Sequence, residues 1–521
     1  MVLNQFVWLV PLLPLLAAAW IGAGYVAGWN RGESGERQTA LVASGATLLS
    51  LLFILALDIL AMLNGAPGQL DFGTWLASGD YRVQLSFSLD ALGLSMATLV
   101  VFLCFISLRF SVNYLHREAG FQRFFMVMSL FTAAMLLIVT AGNAVLTFVG
   151  WELAGVSSYL LIAYAYDRPT ATANATRAFV TNRIGDAGFI LGIYLSFTWL
   201  GSVEWPMLNH GVDSIETLSV GLLAFGFLIA AAAKSALVPF STWISRALEG
   251  PTSSSAVFYG AVMVHAGVYL VIRMAPVFEH NPMLMMALAA LGVLTALYGF
   301  LGGLVQTDVK SALMFAVTTQ IGLMFLWCGL GWSEFAAWHL ATHALWRGYQ
   351  FLSAPAHMHM MMRPNRPLRG WLARQRWLYT AALQRFWLDH LADSLLVKPS
   401  KQMSKDMQNF DERIVNRFIG LPGSASAVSS LAQWESRHRG DTRVEGDTGD
   451  IGHGRGFMGR AMERLASLFG WFEEHLILRG GSEGLLAVIQ HLGKYVQHIE
   501  NLLVQPRYLL LMIMATFVVI L

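Results

Sequence analysis

From about residue 5 to residue 354 the sequence repeats one pattern, an apolar run long enough to cross a bilayer followed by a short polar turn. In hydrocarbon every backbone N–H and C=O must be paired within the protein, which leaves helices and closed barrels as the only spanning structures. Runs of roughly 20 apolar residues without strict alternation select the helix. They fall near residues 5–27, 39–63, 86–108, 123–141, 144–166, 178–200, 217–238, 252–275, 283–304, 309–330 and 334–354, with a short last one from 507 to the end. The pattern predicts an all-α, polytopic membrane protein of about twelve transmembrane helices. Composition agrees: 13% of the residues are charged, against about 25% in an average soluble domain. A net charge of only +2 creates no field that would draw nucleic acid, so the lipid bilayer is the expected surrounding. No positive residue precedes the first run, which reads as a retained helix rather than a cleaved signal.

If the runs alternate across the membrane, the loops on one side hold Arg31, Arg37, Arg109, Arg117, Arg123, Arg168, Arg177, Arg246, Lys310 and the cluster from Arg363 to Arg376. The other side offers little beyond Arg82 and Arg273. The positive-inside rule makes the first side cytoplasmic. The N-terminus is then expected on the outer side of the membrane, and residues 356–505 on the cytoplasmic side.

Two residues break the pattern in Ala231–Leu270: Lys234 sits inside an apolar run, and Pro239 interrupts it. A lysine at membrane depth costs a few kcal/mol or more unless it faces protein or water. Proline removes a backbone donor and frees a carbonyl one turn earlier, which is tolerated only where protein or a water-filled cavity satisfies both. The pair describes a broken helix with an ionisable group at the break, the arrangement of transporter binding sites. A lysine snorkelling to the interface beside a helix-ending proline would read the same way.

Other ionisable residues share the membrane region. Glu152 lies in VGWELAGVSSYLL, and Arg183 and Asp186, three apart, can pair on one helix face. His265 is in the run after Pro239; His339, His343 and Arg347 follow one another at one-turn intervals and form one stripe. Desolvation and neighbouring charges push such groups in opposite directions, and groups poised that way pass protons. Metal binding is the competing use of the histidines. His339 and His343 have the spacing of a helical zinc pair, but no Glu follows the first and no third ligand is evident. His357 to Met360, HMHM, could hold a soft metal or simply end a helix. Cys104 and Cys328 lie within apolar runs, far apart, and read as packing residues. No nucleotide loop, catalytic triad or flavin fingerprint is present, so the expectation is an ion-translocating subunit, not an enzyme, without cofactor or metal of its own.

Taken together, WELAGVSSYLLI, NRIGDAGFILGIY, KSALVPFSTWISRALEGPTSSSA, MVHAGVYLVIRM, QTDVKSALMFAVTTQIGLMF and HLATHALWRGYQFL resemble the antiporter-like, proton-conducting subunits that include the NuoL-type subunit of respiratory complex I and the large Mrp antiporter subunit. The resemblance covers most of residues 80–355. It implies inverted-topology repeats with broken helices and a central hydrophilic axis. Glu152 and Lys234 match the family's interacting Glu/Lys pair, and His339 and His343 its axial histidines. Arg347 stands where a lysine is usual, and His265 matches in helix only, the family's histidine being commonly nearer Tyr259. Arg183 and Asp186 are expected to support the pair.

After Leu352-Ser353-Ala354-Pro355 the chain is expected to leave the family's course, with the second repeat truncated. A shortened chain of this kind is similar to the membrane subunits of DabA/DabB inorganic-carbon accumulation systems. That resemblance implies a cytoplasmic DabA-like partner carrying zinc, in which ion flow drives hydration of CO2 to bicarbonate. A subunit of a redox complex or of a cation/proton antiporter is the alternative. The expected organisation is a membrane domain over residues 1–355 and cytoplasmic amphipathic helices over 356–505, interrupted by a Gly/Ser-rich linker at 423–456, with an anchor at 506–521. In the second part Leu383, Phe386, Leu388, Leu391 and Leu395 alternate with Asp389, Asp393 and Lys398 at helical spacing, as in a helix lying at the interface or on a partner.

Overall fold

The computed structural model describes residues 3–360, 370 and 374–411, and the chain divides into two compact units, Met1–Val397 and Lys398–Leu521. The first unit is built of α1 (Leu9–Ala27), α2 (Gly32–Asn64), an antiparallel hairpin of β1 (Gly68–Ser78) and β2 (Tyr81–Leu89), α3 (Ala91–Tyr114), α4 (Phe121–Thr140), α5 (Ala144–Ile162), α6 (Pro169–Leu200) and α7 (Trp205–Gly211). It continues through α8 (Thr217–Lys234), α9 (Thr252–Ser255), α10 (Ala266–Arg273), α11 (Ala275–Glu279), α12 (Pro282–Gly303), α13 (Val309–Gly329) and α14 (Ser333–Met360) to the short helices α15 (Arg376–Leu383) and α16 (Leu388–Ala392). In the second unit α17 (Lys398–Phe410) is the described helix. The anchor at 506–521, the linker at 423–456, the amphipathic stretches after it and Arg363 lie outside the described residues, as do the side chains of His357 to Met360.

Among the described residues nine helical stretches are long and apolar enough to cross a membrane, and the chain is a multi-pass, mostly helical membrane protein. The runs read at 178–200 and 334–354 are the inner parts of α6 and α14, which are long enough to span but carry the charged residues of the site. The hairpin is what an all-helical reading misses. Ser78 pairs with Tyr81 across Gly79-Asp80, with Gly79 at a φ of +58°, a Gly-X turn between strands that the sequence does display. β2 therefore takes residues 86–89 from the run assigned to a helix, and α3 starts at Ala91, capped by Asp90, whose side chain accepts from the Gly93 N–H at 2.7 Å.

The stretch Thr252–Arg273 is the centre of the bundle, 94% buried, whereas α2 is 28% and α12 33% buried in their most apolar windows. The outer helices turn Leu41, Leu52 and Ile59, or Leu294 and Leu297, outward, as expected where lipid is the solvent. The site's helices meet through small residues. A Cβ on Gly226 of α8 would stand 2.7 Å from the Gly188 carbonyl of α6, and one on Gly267 of α10 would stand 2.3 Å from both the Ala231 carbonyl and Ser235 Oγ. Gly267→Val should therefore push α10 off the end of α8, lowering stability by about 1–3 kcal/mol; an unchanged melting midpoint in detergent would contradict this close approach.

Residues 376–397 do not form the continuous amphipathic helix expected from their spacing. Arg385, Phe386 and Trp387 have positive φ of 51–55° and break it. Asp389 pairs with Arg246 at 2.8 Å and Asp393 with Arg177 at 2.6 Å, so the acids face the bundle while Trp387, Leu391 and Leu395 are exposed. Two ion pairs decide the path, which local periodicity does not register.

Candidate functional site: an ionic cluster and a histidine pair

α8 stops inside the bundle. Lys234 is its last residue and is 1% exposed. The chain then turns through Ala236 at a φ of +52° and a cis Val238–Pro239 bond into two 3-10 turns, Phe240–Thr242 and Ile244–Arg246. The break thus begins at Lys234, not at Pro239, because the ring of a proline excludes helix for the turn before it. The groups set free are held by protein. Trp243 Nε1 donates to the Ala233 carbonyl at 2.9 Å, Ser235 Oγ to the Val264 carbonyl at 2.7 Å, and the Val238 N–H to Thr295 Oγ1 at 3.0 Å.

Around this end the structure gathers four charges from three helices. Lys234 Nζ donates to the Trp151 carbonyl of α5 at 3.1 Å and lies 4.9 Å from the centre of that indole, a cation–π contact in a desolvated setting. Arg183 of α6 pairs through Nη1 with Glu152 Oε2 and through Nη2 with Asp186 Oδ2, the latter at 2.8 Å. A Cβ on Gly155, one turn beyond Glu152, would stand 3.0 Å from Arg183 Nη2 and 3.6 Å from Lys234 Nζ. Two cations and two carboxylates therefore balance at one point, which is how charge is kept inside a membrane protein. The resemblance implied a Glu152–Lys234 pair; here Arg183 takes the direct ion pair with Glu152, and Lys234 faces a carbonyl and an indole. Glu152 Oε1 and Arg183 Nε are buried without a protein hydrogen-bond partner among the described residues, so the cluster has bonding capacity that the fold does not use.

The second group sits where another helix loses its regularity. After α9 the chain makes a π-helical turn over Ala256–Ala261 and a 3-10 turn over Met263–His265 before α10, an irregularity frequent at functional sites. It brings His265, fully buried, to His343 of α14, with Nε2 and Nδ1 3.0 Å apart. Arg347 Nε donates to His343 Nε2 at 3.2 Å, and Arg347 Nη1 to Gln350 Oε1 at 2.7 Å. His339 is held by Gln320 Oε1 at 2.8 Å from its Nε2 and by Trp327 Nε1, which donates to its Nδ1 at 3.2 Å.

These partners assign the tautomers. Indole and guanidinium N–H groups only donate, so His343 Nε2 and His339 Nδ1 are acceptors. Neutral His343 therefore carries its proton on Nδ1 and donates it to His265 Nε2, which leaves the His265 proton on Nδ1, where no protein acceptor is bonded. The pair has a direction, from α14 to α10. His339 is apart from it, its ring centre 6.1 Å from that of His343. Arg347 cannot act as a proton donor that discharges, because a guanidinium stays protonated; it fixes the tautomer of His343 and adds a permanent charge. Ser235 and Val264, joined by the hydrogen bond above, connect the Lys234 break to the residue before His265.

The sequence reading missed Trp151, Gln320 and Trp327, and also an ion pair at the hairpin end of α10. Arg273 pairs with both Asp90 oxygens and with Tyr269 Oη at 2.8 Å. Asp90 and Arg273 were legible only as charges at run ends, 183 residues apart. Burial pushes the Asp90 carboxyl up, but Arg273, Gly93 and Ser88 more than offset this and hold it below the usual carboxylate range. A carboxylate with a depressed folded-state pKa contributes stability above its unfolded value, and this is lost as the pH falls through the folded value. Below about pH 4 the melting temperature of the wild type should drop more steeply than that of Asp90→Asn; parallel curves would rule the contribution out.

Residues 141–381 match the family described as "NADH:quinone oxidoreductase/Mrp antiporter, TM", and residues 75–125 the "NADH-Ubiquinone oxidoreductase (complex I), chain 5 N-terminus". The first match runs beyond Pro355, where the chain was expected to leave the family's course. The chain is 36% identical over 364 residues to NADH-quinone oxidoreductase subunit L of Mycobacterium tuberculosis, an alignment covering 69% of this chain and 56% of that one. It is 34% identical over 368 residues to the chloroplastic NAD(P)H-quinone oxidoreductase subunit 5 of Nephroselmis olivacea, with the same shares. The chain spans about half the length of the curated relatives it matches. Among solved structures, a chain of the Mrp complex from Dietzia sp. DQ12-45-1b superposes with a TM-score of 0.59 at 24% identity, over 72% of this chain and 40% of that one. A chain of the archaeal membrane-bound sulfane sulfur reductase superposes at 0.57 and 18% identity, over 74% and 64%. At these identities the structures speak for the fold.

Proposed function

The chain is an antiporter-family membrane subunit of the complex I chain 5/Mrp type, and from that premise we propose that it moves protons through the Lys234 cluster and the His265–His343 pair. The observation that carries the proposal is the buried ammonium of Lys234 at a helix end, held by the Trp151 carbonyl and set across Gly155 from Arg183, which bridges two carboxylates. Lysine is the cation of the two that can give up its proton, and Arg183 the one that keeps the carboxylates balanced when it does. A proton released by Lys234 passes onto a carboxylate oxygen of Glu152 or Asp186, so that one N–H bond breaks, one O–H bond forms, and Arg183 is left facing a single carboxylate. His343 and His265 pass a proton by accepting it on one ring nitrogen and releasing it from the other. His343 is ready to accept when Arg347 moves from its Nε2, and Gln350 already holds the other arm of that guanidinium. The test is reconstitution of the full chain, with the subunits that co-purify, into liposomes carrying a trapped pH dye. Proton movement that needs Lys234 is expected; proton-tight liposomes under every imposed gradient would refute it.

The same reading gives the chain its setting. We infer a bacterial inner membrane, with the arginine-bearing loops inside and the hairpin outside on the strength of the positive-inside asymmetry. The finer assignment is to an inorganic-carbon accumulation system, with a DabA-like zinc partner on the cytoplasmic side. It is supported by the QFLSAP sequence that follows the histidines within α14 and by the mixed apolar and charged composition of residues 356–505. The relatives named as subunits of NADH-quinone oxidoreductase favour the second reading, a redox or cation/proton antiporter complex. Purification from native membranes separates the two. One large soluble zinc protein without flavin or iron–sulfur absorbance is expected on the first reading, and several membrane subunits on the second.

A further inference from the structure

At the hairpin end of the bundle, β2 brings a second set of titratable groups together. Ser86 and Ser88 are two apart on the strand, so they point the same way, and both are buried. Ser86 Oγ donates to Glu204 Oε2 at 2.5 Å; Gln69 Nε2 donates to the same oxygen, and Asn143 Nδ2 to Oε1 at 3.0 Å. Ser88 Oγ receives Arg273 Nη1 at 3.4 Å, beside the Asp90 pair. Tyr269 and Arg273 follow His265 at four and eight residues along α10, one stripe of that helix. The stripe starts at the buried, unbonded His265 Nδ1 and ends at Asp90, whose side chain is 40% exposed while that of Arg273 is 6% exposed. Tyr269 Oη donates to the Val139 carbonyl and accepts from Arg273, so its hydroxyl is fully engaged.

The two carboxyls of this face are driven apart. Burial raises the Glu204 carboxyl above the usual range, and Ser86, Gln69, Asn143 and the backbone of Gln84 only partly offset it. The groups facing it from β1, β2 and the start of α5 are these neutral ones among the described residues. Asp90, by contrast, is held ionised against Arg273. Oppositely tuned carboxyls, here linked to one strand through Ser86 and through Ser88 and Arg273, divide the work of proton exchange and charge fixation.

We propose that Glu204 is the proton-exchange group of the hairpin-side mouth, and that the Asp90–Arg273 pair is the seal between this mouth and His265. The proposal rests on the relay reading above. Glu204 takes a proton from water on this face onto a carboxylate oxygen and gives it up again, so only O–H bonds form and break. The guanidinium of Arg273 never discharges; while Asp90 holds it, it repels a proton arriving along the α10 stripe, as a fixed arginine does in a selective pore.

The experiment uses the full chain with its co-purifying subunits in liposomes, hairpin face outward, after an acid jump outside. Glu204→Gln should slow proton uptake by about tenfold or more, with Glu204→Asp restoring most of it. Ser86→Ala removes one hydrogen bond to the carboxylate, which raises its pKa further, and should move the pH midpoint of uptake upward. Asp90→Asn should raise passive proton leak several-fold, and the leak should vanish in Asp90→Asn/Lys234→Ala. Wild-type uptake in Glu204→Gln together with an unmoved midpoint in Ser86→Ala overturns the exchange role, and unchanged leak in Asp90→Asn overturns the seal. Both failures leave the relay standing so long as Lys234→Ala alone is inactive; normal uptake in Lys234→Ala would instead bring down the relay. Should Glu204→Gln not assemble, Ser86→Ala decides the exchange role.

Discussion

Lys234→Ala should reduce proton movement to the background of empty liposomes while leaving the chain assembled. The fold survives because the two carboxylates nearest Lys234 are already paired with Arg183, so removing the ammonium does not leave either without a partner. The activity does not survive because Lys234 is the cation in the cluster that can release a proton. A positioned acid–base group contributes about 100- to 10,000-fold, and its loss at the break of α8 has no substitute in the cluster. Lys234→Arg sharpens the test. It keeps the charge and the cation–π contact with Trp151 but cannot discharge, so it should be as inactive as the alanine variant. Proton transport in Lys234→Arg would mean that the residue serves as a fixed charge only.

His343→Gln should have the next largest effect, a loss on the order of 100-fold in proton transport with little change in melting temperature. Glutamine can donate to His265 Nε2 and accept from Arg347 Nε, so the hydrogen bonds joining α14 to α10 are retained. It cannot carry a proton from one nitrogen to another. His339→Gln should be milder, because His339 is bonded to Gln320 and Trp327 and lies outside the directed pair. Equal losses in the two variants would show that the relay passes through His339 after all; no loss in His343→Gln would remove the pair from it.

Much of the site was legible as anomalies. A charge costs so much in hydrocarbon that each ionisable residue in an apolar run stands out, and Glu152, Arg183, Asp186, Lys234, His265, His339, His343 and Arg347 were all found that way. Their partners were not. Trp151 acts through its backbone carbonyl and indole face, and Trp327 and Gln320 by their place on α13, none of which an uncharged side chain in an apolar run announces. Glu204 was missed because a carboxylate in a polar loop is ordinary, and only the fold puts Ser86, Gln69 and Asn143 around it.

The sequence by itself determined the class and the inventory: a multi-pass helical membrane protein with a broken helix and a set of membrane-depth charges. These follow from local rules, since a run either can or cannot satisfy its backbone in lipid and a charge either does or does not interrupt it. Tertiary structure decided the pairings. Whether Glu152 meets Lys234 or Arg183, and that His265 faces His343 and not His339, depend on distances between elements far apart in the chain. Those distances are set by close contacts such as Gly267 on the Ala231 carbonyl and Gly226 on Gly188, which helical periodicity does not encode.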